Sequence, residues 1–154
     1  MTERKLTDRP QDAEYVEYWL RQAGMMLLSL PDHGPYLGLR ARSLELRNAR
    51  AEQSEERRLL RRAVTPHDVS MMDEVLGWLR LVPDDRRVLR RIVAARMLVS
   101  PTTERHLVSW RELGRRIGAD HHAVMRWHAA GIDHIVGGLA ALDMRGTAEV
   151  RRAA

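Results

Sequence analysis

The chain has 154 residues, 44% of them apolar, which suits one compact domain or a small domain with an appendage. It has no cysteine, which excludes disulfides and thiolate metal sites and favours a reducing, cytoplasmic location. The net charge of +5 favours an anionic partner, nucleic acid first, although the charge is spread along the chain and gives only mild support. No apolar run approaches the ~20 residues of a bilayer span, so no membrane segment is expected.

The N-terminal part of the chain, residues 12–64, predicts one amphipathic helix followed by less regular segments. The helix runs from Asp12 to Leu30, because apolar residues recur there at helical spacing and a proline follows. A loop rich in proline and glycine comes next, and residues 44–63 are typical of a solvated charged helix or a linker. The alternative for this charged stretch is a basic arm that touches phosphate or a partner, formed by Arg57, Arg58, Arg61 and Arg62. Residues 1–11 are polar and are predicted to form a disordered tail.

Two further helix starts follow in the middle of the chain. The tetrad Thr65-Pro66-His67-Asp68 supplies a capping hydroxyl, a proline at the first helical position and an acid at the third. Pro83-Asp84-Asp85 predicts a second start of the same kind, for a helix that runs to about Leu98. Residues 100–107 predict a flexible loop. No alternating apolar and polar run is long enough for a strand, so the predicted fold class is all-α.

Residues 109–135 have the pattern of a helix-turn-helix. An amphipathic helix over 110–117 ends at Gly118, and Asp120 then suits the N-cap of a second helix. The predicted inner stripe of that helix comprises Val124, either Trp127 or His128, Gly131 and Ile135. Two helices joined by a short turn that contains glycine are typical of this motif, in which the second helix, here 121–131, enters the DNA major groove. The alternative is an ordinary corner between two helices of a core.

Two stretches resemble an uncharacterised family of phage- and prophage-associated proteins: MDEVLGWLRLVPDDRRVLRR, residues 72–91, and SWRELGRRIGADHHAVMRWHAAGIDHI, residues 109–135. The segment LPDHGPYLGLRARS, residues 30–43, also fits that family. Residues 109–135 look like the C-terminal helix-turn-helix, or region 4, of bacterial sigma factors.

This resemblance implies a particular arrangement of the all-α fold. An N-terminal helix is followed by a C-terminal four-helix, sigma-region-4-like domain over residues 65–143, and residues 144–154 form a flexible basic tail. The family often has two arginines after the cap of its last helix, where this chain has His121 and His122.

The candidate DNA-binding residues lie on the two helices of the motif: Ser109, Arg111, Arg115, His121, His122, Met125 and Arg126. Arg126 is the strongest candidate for base contact, because its planar guanidinium can bond both major-groove acceptors of guanine. The histidines can donate to phosphates or bases, and such contacts strengthen when imidazole is protonated near pH ~6.5. The candidates on the first helix suit contacts to the DNA backbone.

Four histidines between residues 121 and 134 suggest a metal site, but none are spaced i, i+4 and no carboxylate stands at ligand spacing. No nucleophile constellation, phosphate loop or pair of catalytic acids is recognisable. We therefore expect no metal, no cofactor and no enzymatic activity.

The predicted function is sequence-specific binding of double-stranded DNA by a phage- or prophage-type transcriptional regulator. One alternative is a DNA-packaging component, such as a small terminase-like subunit, that forms a homo-oligomer through the first helix, with Trp19, Met25, Met26 and Leu27 as its surface. Another is a sigma-like module that binds RNA polymerase or a different protein partner.

Overall fold

The computed structural model describes residues 12–30 and 64–153, which are helical and contain no β-strand. The α-helices in these ranges are α1 (Ala13–Ser29), α2 (Pro66–Gly77), α3 (Arg87–Met97), α4 (Trp110–Ile117) and α5 (His121–Ala153). Two 3₁₀ turns, Trp78–Leu81 and Asp84–Arg86, join α2 to α3. The predicted all-α class is confirmed. Predictions for residues 1–11 and 31–63, including the loop rich in proline and glycine and the basic arm, fall outside the described residues.

Local capping chemistry begins α1 and α2 where the sequence predicts it. The Asp12 carboxylate accepts a hydrogen bond of 2.8 Å from the amide of Tyr15. At α2 the Asp68 amide donates to Thr65 Oγ1 (3.2 Å), while the Thr65 amide donates to Asp68 Oδ2 (2.9 Å). This reciprocal capping box, with Pro66 in the first turn, satisfies amides that the helix itself leaves unbonded.

Helix α3 begins later than the sequence predicts. Asp84 does not cap it, because its carboxylate accepts from Arg90 Nη2 at 2.9 Å, and the same Nη2 donates to the Val82 carbonyl at 2.5 Å. Residues 84–86 consequently form a separate 3₁₀ turn, and the α-helix starts at Arg87.

The main core lies where α1, α2, α3 and the middle of α5 meet. Its fully buried side chains include Val16, Met72, Val93 and Ile135. Trp19 and Leu27 also belong to this core, at 8% and 3% exposure. The hypothesis that these two residues form an oligomer surface on α1 is therefore wrong, since they pack against the rest of the chain.

A second, smaller core supports the last two helices. Ile92 of α3, Leu113 of α4 and Val124 of α5 are buried together with Val108. Helix α3 thus forms the base on which α4 and the start of α5 pack, which fixes the two helices of the motif against a third.

The segment between α3 and α4 is more ordered than the flexible loop that the sequence predicts. Val99 and His106 form an isolated antiparallel bridge. The Ser100 amide donates to the Arg105 carbonyl (2.9 Å), and the Leu107 amide donates to the Leu98 carbonyl (3.0 Å). These bonds close a tight turn that delivers the chain to the first residue of α4.

Helix α5 continues to Ala153, whereas the sequence predicted a flexible basic tail from residue 144. Gly137 and Gly138, a residue type that weakens a helix, lie inside it. A Cβ on Gly138 would meet Leu81 side-chain atoms at 2.9–3.0 Å, so this glycine lets the Leu81 side chain approach the helix closely. No helix in the described ranges is both long and apolar enough to cross a membrane.

Candidate nucleic-acid interface

Helix α4 begins at a capped residue that the sequence had assigned to DNA contact. Ser109 Oγ accepts a hydrogen bond of 3.1 Å from the Glu112 amide. Ser109 is exposed, but its hydroxyl is already engaged at the start of its own helix. Ser109 therefore fixes the first turn of α4.

The turn between α4 and α5 depends on two glycines. Gly118 adopts the left-handed region, with φ of 74°, and the Ala119 amide donates to the Gly114 carbonyl at 2.9 Å. A Cβ on Gly114 would lie 2.6 Å from the Ala119 carbonyl oxygen and 3.4 Å from the His121 amide nitrogen. The chain entering α5 therefore passes against the backbone of α4. Gly114 was not predicted to have a role, although it precedes the turn glycine by one helical turn in the sequence.

The predicted N-cap of α5 is present. Asp120 Oδ2 accepts from the His122 amide at 2.9 Å, and Oδ1 lies 3.3 Å from His121 Nδ1. Desolvation acts to raise the pKa of Asp120, but the amide hydrogen bonds from His122 and Ala123 and the two nearby imidazoles outweigh it. The pKa of this carboxyl therefore lies below its ordinary value, which keeps the cap ionised.

The first turns of α5 present a mixed face to solvent. His122, Met125 and Arg126 are exposed, while His121 is half-buried and its ring centroid lies 4.0 Å from that of His122. Arg126 makes no ion pair with any residue in the described ranges. The predicted candidates on this helix thus include one exposed, uncompensated cation beside a histidine and a methionine.

The inner stripe of α5 contains His128 and not Trp127. The His128 side chain is 15% exposed and packs edge-on against the Trp110 ring, with a centroid distance of 5.2 Å. Trp127 lies on the outer side, where it is 37% exposed, as is Ile117 of α4. Large apolar side chains therefore accompany the polar ones on the outer surface of the motif.

Two of the three arginines that follow Trp110 on α4 share one carboxylate within the helix. Arg115 forms an ion pair with Glu112 Oε2, and Arg116 Nε lies 2.9 Å from Glu112 Oε1. Arg111 is exposed and has no such partner in the described ranges. Glu112 was missed by sequence analysis, although its i, i+3 and i, i+4 spacing to these arginines indicates the pairing.

A buried arginine ties the motif to α3. Arg96 is 8% exposed, its Nη1 donates to the Val108 carbonyl at 2.5 Å, and its guanidinium lies 3.9 Å from the centroid of the Trp110 ring. The hydrogen bond holds Val108, and the cation–π contact holds Trp110, the first residue of α4, against α3. Sequence analysis gave Arg96 no role.

The packing of α3, α4 and α5 around Trp110 depends on an uncharged His128. Burial, followed by the charges of Arg96 and His106, lowers the pKa of His128 from 6.5 to about 4. The unfolded chain therefore takes up the proton first, so stability is complete above pH 6.5 and declines as the pH falls toward 4. We expect a loss of about 3 kcal/mol across that window.

Chemical denaturation across this pH range measures the effect, and the variant His128→Gln should lose most of the pH slope even if it is less stable at neutral pH. Glu17 acts in the opposite sense, because burial raises the pKa of its carboxyl. Identical pH slopes for the variant and the parent protein would refute the assignment to His128.

The seven predicted residues flank a single turn: three are on or just before α4, and four are on the first two turns of α5. Within the described ranges, no group of three or more histidine, aspartate or glutamate side chains could hold a metal ion. Comparisons with protein-family models, curated proteins and solved structures give no match.

Proposed function

We propose that this chain binds double-stranded DNA through α4 and α5, as a transcriptional regulator of the phage or prophage type that the sequence resembles. The observation that carries the proposal is the geometry of the turn. Gly118 in the left-handed region and the close approach at Gly114 join the short helix α4 to the capped start of the long helix α5, as the turn of a helix-turn-helix does. That motif places the N-terminal turns of its second helix in the major groove.

Base contact would come from Arg126 and its neighbours on α5. Arg126 is exposed and pairs with no carboxylate in the described ranges, so a guanine does not have to compete with an internal partner. A bidentate bond from its guanidinium to guanine O6 and N7 gives about 1–3 kcal/mol of discrimination against other bases. His122 and Met125, exposed beside it, supply a polar and an apolar contact.

Phosphate contact would come mainly from α4. Arg111 is the exposed cation there that lacks an ion pair within the described ranges, whereas Arg115 and Arg116 share Glu112. The amide end of α4 adds partial positive charge, whereas the ionised Asp120 cap offsets that of α5. We expect few phosphate contacts, hence a shallow salt dependence of about −0.9 in the log–log slope for each contact.

Substituting Arg126 with alanine should weaken binding to a preferred duplex by about 1–3 kcal/mol and relax the preference at one base pair. Arg111→Ala should instead weaken binding to all duplexes alike and reduce the salt slope by about one contact. A fluorescence-anisotropy titration at several salt concentrations measures both effects.

The matched control is Arg145→Ala, an exposed arginine on the same helix. It lies 19 residues further along, or about 28 Å at the rise of an α-helix, and should leave affinity unchanged. If Arg126→Ala and His122→Ala bind with unaltered affinity and salt slope, the proposal fails.

A second candidate function, a sigma-like module that binds RNA polymerase or another protein, is favoured by the exposed apolar side chains. Met125, Trp127 and Ile117 are 42%, 37% and 37% exposed on the outer surface of the motif. Exposed aromatic and methionine side chains are enriched at protein interfaces. Titration with purified RNA polymerase separates the two functions: Trp127→Ala would lower that affinity under the second and leave it unchanged under the first.

A further inference from the structure

A cavity of about 170 Å³ lies where α1 and α3 meet α4 and α5. Ionisable and aromatic side chains from four helices and the connecting turn line part of its wall: Glu17, Arg21, Arg96, His106, Trp110 and His128. The rest of the wall is apolar and includes Leu20, Val93 and Ile132. A polar cavity of this kind needs an occupant that satisfies its buried groups.

Among the lining groups, the Arg96 guanidinium is a buried cation whose hydrogen-bonding capacity is not fully satisfied. The residue is 8% exposed, and its Nε has no hydrogen-bond acceptor. No carboxylate forms an ion pair with it in the described ranges, and its contacts are the Val108 carbonyl and the face of Trp110. Glu17 attracts this cation from more than ion-pair distance, but burial outweighs the attraction and lowers the pKa of Arg96.

The charges on the wall do not balance. Arg96 and Arg21 are cations, and Glu17, half-exposed, is the one carboxylate among the lining residues. Both histidines are neutral near pH 7: burial holds the pKa of His128 at about 4, and burial also lowers that of His106, whose Nδ1 lies 2.7 Å from the Arg96 carbonyl. One positive charge is left over.

The size of the cavity limits what can bind there. A water molecule occupies about 30 Å³ in the liquid, so the space corresponds to about five or six waters. That is sufficient for acetate or inorganic phosphate and well below the ~300 Å³ at which pockets for drug-sized ligands begin.

We propose that this cavity is a binding site for a small anion of the carboxylate or phosphate class. Its oxygens accept hydrogen bonds from the guanidinium groups of Arg96 and Arg21 and neutralise the excess charge of the wall. Because Trp110 and His128 belong to α4 and α5, a bound anion links α1 to those two helices. Anion binding here does not require that the chain bind DNA.

The direct test observes the Arg96 Nε–H group by ¹H–¹⁵N NMR in the full chain, during titration with sodium acetate and with sodium phosphate at constant ionic strength. The Arg96 signal should shift and saturate with at least one of the two anions, and the effective anion assigns the acid class. Arg90 is the internal control: its Nε is also buried without an acceptor but lies outside the lining of this cavity. Its signal should not move.

Two variants at the mouth, neither of them buried, should change the affinity in opposite directions. Arg21→Gln should weaken binding by about three- to tenfold through loss of a charged donor, and Glu17→Gln should strengthen it by removal of a repulsive charge. Arg80→Gln, exposed and outside the cavity lining, should have no effect. No saturable shift at Arg96 with either anion, an equal shift at Arg90, or a change of the same sign in both mouth variants would overturn the proposal.

Discussion

Replacing Gly24 with alanine is expected to destabilise the fold by about 3 kcal/mol. A Cβ at this position of α1 would lie 1.9 Å from the carbonyl oxygen of Met97 and 2.7 Å from its carbonyl carbon. Both are backbone atoms at the end of α3, so neither can rotate away as a flexible side chain would. Helix α1 would have to move off α3, which would open the main core between Leu27 and Leu98.

Urea denaturation of Gly24→Ala beside Gly137→Ala measures this effect. Gly137 is the matched control, because it also lies within a helix but a Cβ there would meet nothing within 4 Å. The control should gain about 1 kcal/mol from the better helix propensity of alanine. If the two variants were equally stable, α1 would not pack against the end of α3 as described.

Replacing Gly114 with alanine is expected to cost about 2 kcal/mol of stability and to weaken DNA binding. Its Cβ would press on the Ala119 carbonyl oxygen at 2.6 Å, and that oxygen belongs to the turn that places the cap of α5. The turn must shift, and α5 moves relative to α4 with it. The side chains proposed to contact bases and phosphates would then no longer match one groove.

The control for this variant lies in the same turn. Gly118 needs its left-handed conformation, but a Cβ there would meet nothing within 4 Å. Gly118→Asn should therefore be nearly neutral, because asparagine tolerates that conformation. Thermal unfolding of both variants, followed by duplex titration, tests the distinction. A fully stable, fully active Gly114→Ala would show that the two helices do not approach as closely as described.

The sequence was sufficient for those features that depend on neighbouring residues. The caps at Thr65 and Asp120 were predicted, because a capping side chain bonds amides only two or three residues ahead. The order of helices and the position of the turn at Gly118 follow from apolar spacing and from glycine. The three-residue delay of α3 was missed, because Arg90 competes for Asp84 from six residues away.

Features that depend on distant residues could not be predicted. The sequence alone did not indicate whether Trp127 or His128 faces inward. His128 faces inward because its ring packs against Trp110, which lies 18 residues earlier in the chain. Arg96 resembled any other charged residue of α3, yet it is buried against Val108 and Trp110 through the turn between α3 and α4. The continuation of α5 past its glycines likewise accompanies packing of Leu81 on Gly138.

The proposed function requires DNA to meet the chain at α4 and the start of α5. The deciding measurement is amide chemical-shift mapping of the full chain by ¹H–¹⁵N NMR, during titration with a duplex of about 20 base pairs at low salt. We expect the shifts to concentrate at residues 109–111 and 121–127 and to diminish as salt is added. Absence of binding at low salt, or shifts centred on α2 or on the part of α5 beyond Leu139, would contradict the proposed function.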